Sequence, residues 1–184
     1  MASTNSNMLA IGTKLPEFSL ADAYGKTHNS NSLLTTNGLL VAFWCNHCPY
    51  VKHLKPHFAA LVREYMAKGM GVVAINSNDA SLYAEDGAKG MQADIEDFSY
   101  GFPYLIDETQ DVARSFEAVC TPEFYLFDGA GLLKYRGRYD ASTPRNDMPI
   151  TAQDISQALD AVLAGADVSQ NQQPSVGCSI KWKD

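Results

Sequence analysis

GLLVAFWCNHC, residues 38–48, joins an apolar run to two cysteines that lie three residues apart. The first six residues of this stretch are apolar, which is typical of a strand buried on both faces of a sheet. After Cys48, apolar side chains recur at helical spacing, at Val51, Leu54, Phe58, Leu61, Val62 and Tyr65. At the start of a helix, unpaired backbone N–H groups and a partial positive charge stabilise a thiolate. The pattern therefore predicts thiol–disulfide exchange between Cys45 and Cys48, where a buried strand ends and a helix begins.

The rest of the chain alternates strand patterns with helical patterns. Residues 71–76 are apolar and β-branched, so the strand–helix–strand order predicts a right-handed parallel crossover. A later pair of apolar runs, 124–127 and 132–135, flanks a glycine-containing turn and predicts a hairpin. Near the N-terminus, the segments on either side of Gly25 predict a second, shorter hairpin. Together these patterns indicate an α/β fold.

Length and composition favour one globular domain. The chain has 184 residues, of which 46% are hydrophobic and 19% are charged, and this is enough to bury a sizeable core. We assign residues 1–166 to this domain. Residues 167–184 begin as a polar stretch and form a C-terminal tail that can dock on the domain.

The charge and the apolar runs bear on partners and location. A formal net charge of −7 argues against a nucleic-acid-binding protein and against a protein that binds anionic membranes. The first ten residues are polar and lack the basic and apolar regions of a signal peptide. No apolar run approaches the roughly 20 residues that span a bilayer. We therefore expect a cytoplasmic location, where cysteines more often serve catalysis, redox sensing or metal binding than structural disulfides.

We expect other charged residues to lie at the surface. On the helix after Cys48, the pattern of Lys52, His53, Lys55 and His57 predicts a solvated basic face. Asp86 and Asp94 lie in a polar stretch between strand patterns, and we expect both to be surface charges.

Three motifs resemble the thioredoxin superfamily, in particular its peroxiredoxin-like and TlpA-like members, which are related to AhpC/TSA proteins. They are residues 43–51 (FWCNHCPYV), residues 120–124 (CTPEF) and residues 177–182 (GCSIKW). The resemblance implies a thioredoxin-like α/β fold, with a central mixed β-sheet flanked by helices and an N-terminal β-hairpin extension. It also implies a cytosolic thiol–disulfide oxidoreductase.

The resemblance assigns roles within the CxxC motif. Cys45 is expected to be the more exposed thiol, the better thiolate and the attacking group, and Cys48 the resolving thiol. His47 can stabilise the Cys45 thiolate by charge or by a hydrogen bond, which would make the couple more oxidising. Trp44 supports the motif from its N-terminal side.

The second motif brings further candidates. Thr121 and Pro122 match the cis-proline of thioredoxin-like folds, which faces the CxxC motif and presents backbone to an extended substrate. Glu123 is a candidate base for Cys48, because this chain lacks the buried acid of reducing thioredoxins. Cys120 is either a third redox thiol or a small buried residue. In the tail, Cys178 is a candidate resolving thiol.

The dithiol is itself the redox group, so we expect no bound cofactor and no metal. The expected partners are a protein or low-molecular-weight thiol or disulfide substrate, and a reductase or thiol that donates electrons. Three alternatives stay open. The first is a peroxiredoxin-like, antioxidant peroxide reductase, although neither cysteine has the Pro-x-x-x-Thr/Ser-x-x-Cys pattern. The others are a metal-binding module that uses Cys45, Cys48 and either Cys120 or His47, and a non-catalytic thioredoxin-fold interaction protein.

Overall fold

The computed structural model describes residues 3–183, which contain ten β-strands and five α-helices. The strands are β1 (Ser3–Asn5), β2 (Ser19–Ala21), β3 (Thr27–Asn29), β4 (Leu39–Phe43), β5 (Gly71–Asn76), β6 (Tyr104–Ile106), β7 (Cys120–Thr121), β8 (Glu123–Phe127), β9 (Leu133–Gly137) and β10 (Val176–Ser179). The helices are α1 (Ser30–Leu33), α2 (Pro49–Ala67), α3 (Ala88–Phe98), α4 (Asp111–Ser115) and α5 (Gln153–Leu163), and a 3₁₀ turn covers Ala84–Asp86.

Five strands form the central sheet, in the order β6-β5-β4-β8-β9. The strand β4 runs parallel to β5 and antiparallel to β8, so the sheet is mixed. The predicted crossover connects β4 to β5 through α2. The short strands β2 and β3 pair antiparallel, as the predicted N-terminal hairpin requires. The predicted α/β fold class, a central mixed sheet flanked by helices, is confirmed.

The strand β4 is buried along its whole length because its side chains enter two different cores. Leu40 and Ala42 pack on the side of the sheet that α2, α3 and α5 cover. Leu39, Val41 and Phe43 pack on the other side, together with residues of α4. Burying one such aliphatic or aromatic side chain contributes roughly 1.5–3 kcal/mol. Because both faces of the central sheet are covered, the residues that directly follow β4 are also buried.

The C-terminal part of the chain adds a strand to a second, three-stranded sheet. The strand β10 lies between β1 and β7 and is antiparallel to both. Cys178 stands opposite Thr121 in this pairing. Beyond β10, the buried Ile180 joins the core beside α4, and the guanidinium of Arg114 lies 4.6 Å from the ring centroid of Trp182. The boundary after residue 166 stays a prediction.

Among residues 3–183, none of the helices combines the length and the hydropathy that a membrane-spanning segment needs.

Two charged residues that we expected at the surface form a buried ion pair. Lys55 of α2 is only 4% exposed, and its Nζ lies 2.5 Å from Oδ1 of the buried Asp94 in α3. The lysine also lies over the ring of Phe98, at 5.5 Å from the centroid. The predictions of a solvated Lys55 and a solvated Asp94 are therefore wrong. The helical pattern did not reveal that α3 packs against this face of α2.

We expect the substitution Asp94→Leu to lower the free energy of unfolding by about 3–5 kcal/mol, because it leaves Lys55 buried without a counter-charge. The double substitution Lys55→Met/Asp94→Leu should restore most of this loss, since it removes both charges and keeps apolar volume. Denaturant unfolding of the reduced protein measures both effects. Equal destabilisation by the single and the double substitution would contradict the buried pair.

Candidate active site

The two cysteines of the CxxC motif lie in the connection between β4 and α2. The backbone N–H of Trp44 donates to the carbonyl oxygen of Ile75 at 2.9 Å, which extends the parallel pairing of β4 and β5 beyond Phe43. The Trp44 ring is fully buried, with its centroid 4.8 Å from that of Phe58 in α2. Trp44 thus fixes the end of the strand against the helix. Cys48 is the N-cap residue of α2.

The sulfur of Cys48 has two other thiols as neighbours. Its Sγ lies 2.8 Å from Sγ of Cys178 and 3.3 Å from the carbonyl oxygen of Thr121. The hydrogen bond from the Cys45 thiol lowers the pKa of Cys48 most, and it outweighs the effect of burial. The Cys178 thiol and the backbone N–H groups of Val51 and Cys178 act in the same direction, so that the pKa of Cys48 falls to about 5.

Cys45 has the opposite environment. Burial raises the pKa of its thiol, and the hydrogen bond to Cys48 and the negative charge of Asp86 raise it further. Its Sγ lies 3.2 Å from Oγ1 of Thr121. The exposed fraction is 0% for both Cys45 and Cys48. The prediction that Cys45 is the more exposed cysteine and the better thiolate is therefore wrong. Cys45 follows the strand inside the protein, whereas Cys48 is the N-cap residue of α2, where the backbone N–H of Val51 lowers the pKa of its thiol.

The imidazole of His47 is held by the carboxylate of Asp86, a residue that the sequence pattern predicts at the surface. Its Nδ1 lies 2.6 Å from Oδ2 of Asp86, and its ring stacks on Tyr83 with centroids 3.8 Å apart. Nε2 is buried and has no hydrogen-bond partner among the described residues. Asp86 is 3% exposed, so the prediction of a surface charge is wrong.

Asp86 is an ionised group inside the protein. Burial opposes its ionisation, but hydrogen bonds from His47, the backbone N–H of Asn46 and the side chain of Asn78 hold its pKa below the usual value. The carboxylate and the imidazole therefore both lie close to Cys45. A direct hydrogen bond between His47 and Cys45 is not present among the contacts of the described residues. The predicted stabilisation of the Cys45 thiolate by His47 stays a prediction, with the Asp86 charge acting against it.

Thr121, which precedes Pro122, lies against both cysteines. The Thr121–Pro122 peptide bond is cis. Thr121 contacts both sulfurs, through its hydroxyl to Cys45 and its carbonyl oxygen to Cys48. Pro122 also lines a cavity of about 80 Å³. Other lining residues of this cavity include Tyr50, His53, Tyr139 and Ser142.

Glu123 and Cys120 form a separate buried contact. Oε1 of Glu123 accepts from the Tyr125 hydroxyl at 2.6 Å, and Oε2 lies 3.6 Å from Sγ of Cys120. Within the described chain, Glu123 makes no hydrogen bond to Cys48. The reason is strand alternation: Phe124 packs in the same core as Cys48, so Glu123 points to the other face of β8. Burial and the nearby carboxylate both raise the pKa of Cys120. Glu123, the predicted base for Cys48, therefore contacts Cys120 instead, and the prediction of this role is wrong.

One group of side chains has donors that suit a metal ion. Donor atoms of Cys45, His47 and Asp86 lie within 4.8 Å of one another. A thiolate and an imidazole are ligands that zinc accepts, but structural zinc sites use four ligands. Oδ1 of Asp86 already accepts from the backbone of Asn46, and Oδ2 from His47 and Asn78. These three residues could hold a metal only if Asp86 gave up part of this network.

Comparisons with known proteins agree with the fold. The model of the AhpC/TSA family matches residues 11–136. The thiol-disulfide oxidoreductase ResA of Geobacillus thermodenitrificans is 25% identical over 159 residues, which are 86% of this chain and 82% of ResA. An uncharacterized conserved protein from Geobacillus kaustophilus has a crystal structure with a TM-score of 0.97 and 44% identity, and the match covers 100% of this chain and 97% of that one.

A more distant structure shows the fold alone. The thioredoxin domain of a thiol-disulfide oxidoreductase from Bacteroides vulgatus matches with a TM-score of 0.58 and 21% identity. The match covers 70% of this chain and 88% of that domain. The predicted thioredoxin-like fold is confirmed.

We expect the reduced protein to contain a thiolate that titrates at a pH of about 5, because Cys48 is ionised above that value. The ultraviolet absorbance of the thiolate, followed from acidic to neutral pH, measures this. The substitution Cys48→Ser should remove the transition, and Cys45→Ala should move it to higher pH because the main hydrogen-bond donor is lost. Cys120→Ser is the matched control and should leave it in place. A wild-type protein without thiolate absorbance at neutral pH would contradict the assignment.

Proposed function

The chain belongs to the AhpC/TSA family, and on this premise we propose that it is a thiol–disulfide oxidoreductase. In this proposal, Cys45 and Cys48 exchange between dithiol and disulfide with protein or low-molecular-weight thiol substrates. The observation that carries it is the contact between the Cys45 and Cys48 thiols beside Thr121 and Pro122, at the N-terminus of α2. The relative ResA, a thiol-disulfide oxidoreductase that aligns with 86% of this chain, supports the same reaction.

The environment of the two sulfurs favours one direction of exchange. A substrate thiolate attacks the Cys45 sulfur of the Cys45–Cys48 disulfide, and Cys48 leaves as a thiolate. A thiol of low pKa leaves fast, and Cys48 has the lower pKa of the two. A second substrate thiol then attacks the mixed disulfide on Cys45. The substrate becomes a disulfide, the protein gains two electrons, and the proton of the second thiol passes to Cys45.

The reverse direction is harder for the same reason. Attack by Cys45 on a substrate disulfide requires its thiolate, whereas burial and the Asp86 carboxylate raise the pKa of Cys45. Stabilising the reduced protein makes a dithiol couple more oxidising. We therefore propose that the pair accepts electrons readily from a reductase or a low-molecular-weight thiol, and that it needs no bound cofactor.

The cavity beside Pro122 is the proposed place for substrate groups. It combines aromatic rings, from Tyr50 and Tyr139, with polar groups of His53 and Ser142. His53 and Ser142 are already joined by a hydrogen bond of 3.1 Å. A cavity of about 80 Å³ suits a side chain or a small thiol better than a folded surface. The proposal includes a cytoplasmic location, and its support is that all four cysteines are free thiols, as is usual in reducing compartments.

Trapping of mixed disulfides tests this proposal. With a peptide disulfide or oxidised glutathione, the reduced wild type should exchange and finish with a Cys45–Cys48 disulfide. Cys48→Ser should accumulate a mixed disulfide on Cys45, because the resolving thiol is absent. Cys45→Ser should exchange with the peptide disulfide much more slowly than the wild type, because only the buried Cys48 thiolate remains to attack it. Mass spectrometry of alkylated protein measures these species, and Cys120→Ser is the control with wild-type behaviour.

Unchanged exchange in both Cys45→Ser and Cys48→Ser would overturn the proposal. Turnover of hydrogen peroxide without disulfide exchange would favour the peroxide reductase instead. Thiols that resist alkylation until a chelator removes a bound metal would favour the metal-binding module.

A further inference from the structure

We propose that Cys178 is a third redox thiol of this site and forms a disulfide with Cys48. This inference rests on the proposed function, because that function supplies the Cys45–Cys48 disulfide from which the new bond is made. The proposed species is an oxidised protein in which β10 is covalently joined to the start of α2 and Cys45 is a free thiol.

The distance between the sulfurs is the first support. Sγ of Cys48 and Sγ of Cys178 are 2.8 Å apart, although 130 residues separate them in the chain. A disulfide bond has a length of about 2.05 Å, so the two atoms are within about 1 Å of bonding distance. Both side chains are buried, with 0% exposure for Cys48 and 3% for Cys178. A buried pair held this close reacts as an intramolecular pair at high effective concentration.

The backbone of β10 holds Cys178 in this position. Cys178 pairs with Thr121 on one side and with Ser3 of β1 on the other. Gly177 allows the strands to approach, because a Cβ atom there would lie 2.0 Å from the carbonyl oxygen of Thr121. After the strand, the N–H of Ile180 donates to the carbonyl oxygen of Val119 at 2.9 Å. Hydrogen bonds on both edges and beyond the strand thus fix the third sulfur.

The remaining cysteine is not part of this group. Sγ of Cys120 lies 3.6 Å from Oε2 of Glu123, and no sulfur is within hydrogen-bond distance of it in the described chain. Cys120 therefore provides a control that is as buried as Cys48 and Cys178 but contacts a carboxylate.

The proposed step is an internal disulfide exchange. The sulfur of Cys178 attacks the Cys48 sulfur of the Cys45–Cys48 disulfide. The Cys48–Cys178 bond forms, the Cys45–Cys48 bond breaks, and the proton of Cys178 passes to Cys45. No electrons are gained or lost, so no further oxidant is needed. The disulfide moves from the α2 connection to the C-terminal strand.

Tryptic peptides distinguish the possible disulfides. Cleavage after lysine and arginine leaves Cys45 and Cys48 together in residues 27–52, Cys120 in residues 115–134 and Cys178 in residues 146–181. A Cys45–Cys48 disulfide therefore stays within one peptide, and a Cys48–Cys178 disulfide joins two. The full-length protein is oxidised with oxidised glutathione, alkylated under denaturing conditions and digested.

In Cys45→Ser, the Cys48 thiolate attacks oxidised glutathione and releases one glutathione, and Cys178 then attacks the Cys48 sulfur of the mixed disulfide and releases the second. We expect most molecules of this variant to carry the link between residues 27–52 and 146–181. The wild type should contain this link together with the internal disulfide of residues 27–52. Cys178→Ser should lose the link, and Cys120→Ser should keep the wild-type pattern.

Gly177→Ala tests the position of the strand without removing a thiol. Its new methyl group displaces β10 from Thr121, so the link should decrease strongly while the Cys45–Cys48 disulfide persists. Gly101→Ala is the matched control, since a Cβ there meets only a methionine carbon at 3.8 Å.

Absence of the Cys48–Cys178 link in both wild type and Cys45→Ser would overturn the inference. If Cys178→Ser still forms its Cys45–Cys48 disulfide reversibly, the proposed function stands without the third thiol. If Cys178→Ser forms no such disulfide either, the proposed function itself fails.

Discussion

The hydrogen bonds that converge on the Cys48 sulfur are the interaction on which the site depends. The thiols of Cys45, from the end of β4, and Cys178, from β10, hydrogen-bond to the sulfur of Cys48, the N-cap residue of α2. The Thr121 carbonyl oxygen of β7 lies 3.3 Å from the same sulfur and accepts from it only while Cys48 is protonated. Four elements from distant parts of the chain thus meet at one atom. Their positions follow from the two-sided burial of the sheet, which keeps this end of β4 away from water and makes each thiol–thiol contact strong.

Charge separates the two cysteines of the CxxC motif. The Asp86 carboxylate lies near Cys45 and is kept ionised by His47, Asn46 and Asn78. A negative charge there opposes a second one on Cys45, so the negative charge of the reduced pair resides on Cys48, which also has the N–H groups of the helix start. One ionised and one neutral thiol in contact is the arrangement that stabilises a dithiol over its disulfide.

The sequence predicts most of the strands and helices but not the side-chain contacts between them. The apolar run of β4 and the helical spacing after Cys48 predict that the CxxC motif lies between a buried strand and a helix, because both patterns depend on local periodicity. Strand alternation along β8 is a sequence signal that already places Glu123 on the face opposite to Phe124 and so away from Cys48. Asp86 and Asp94 lie in stretches without a strong apolar pattern, and only tertiary packing buries them. The contact of Cys178 with Cys48 joins residues 130 positions apart, and no spacing rule predicts it.

The reduction potential of the Cys45–Cys48 couple tests the central claim most directly. It is measured by equilibrating the protein in glutathione buffers and quantifying the oxidised fraction after alkylation. Stabilisation of the reduced state at Cys48 predicts a potential clearly above the value of about −270 mV that thioredoxin has, towards the value of about −120 mV of strong oxidants. A potential at or below that of thioredoxin would contradict the claim that these hydrogen bonds hold Cys48 as a stable thiolate.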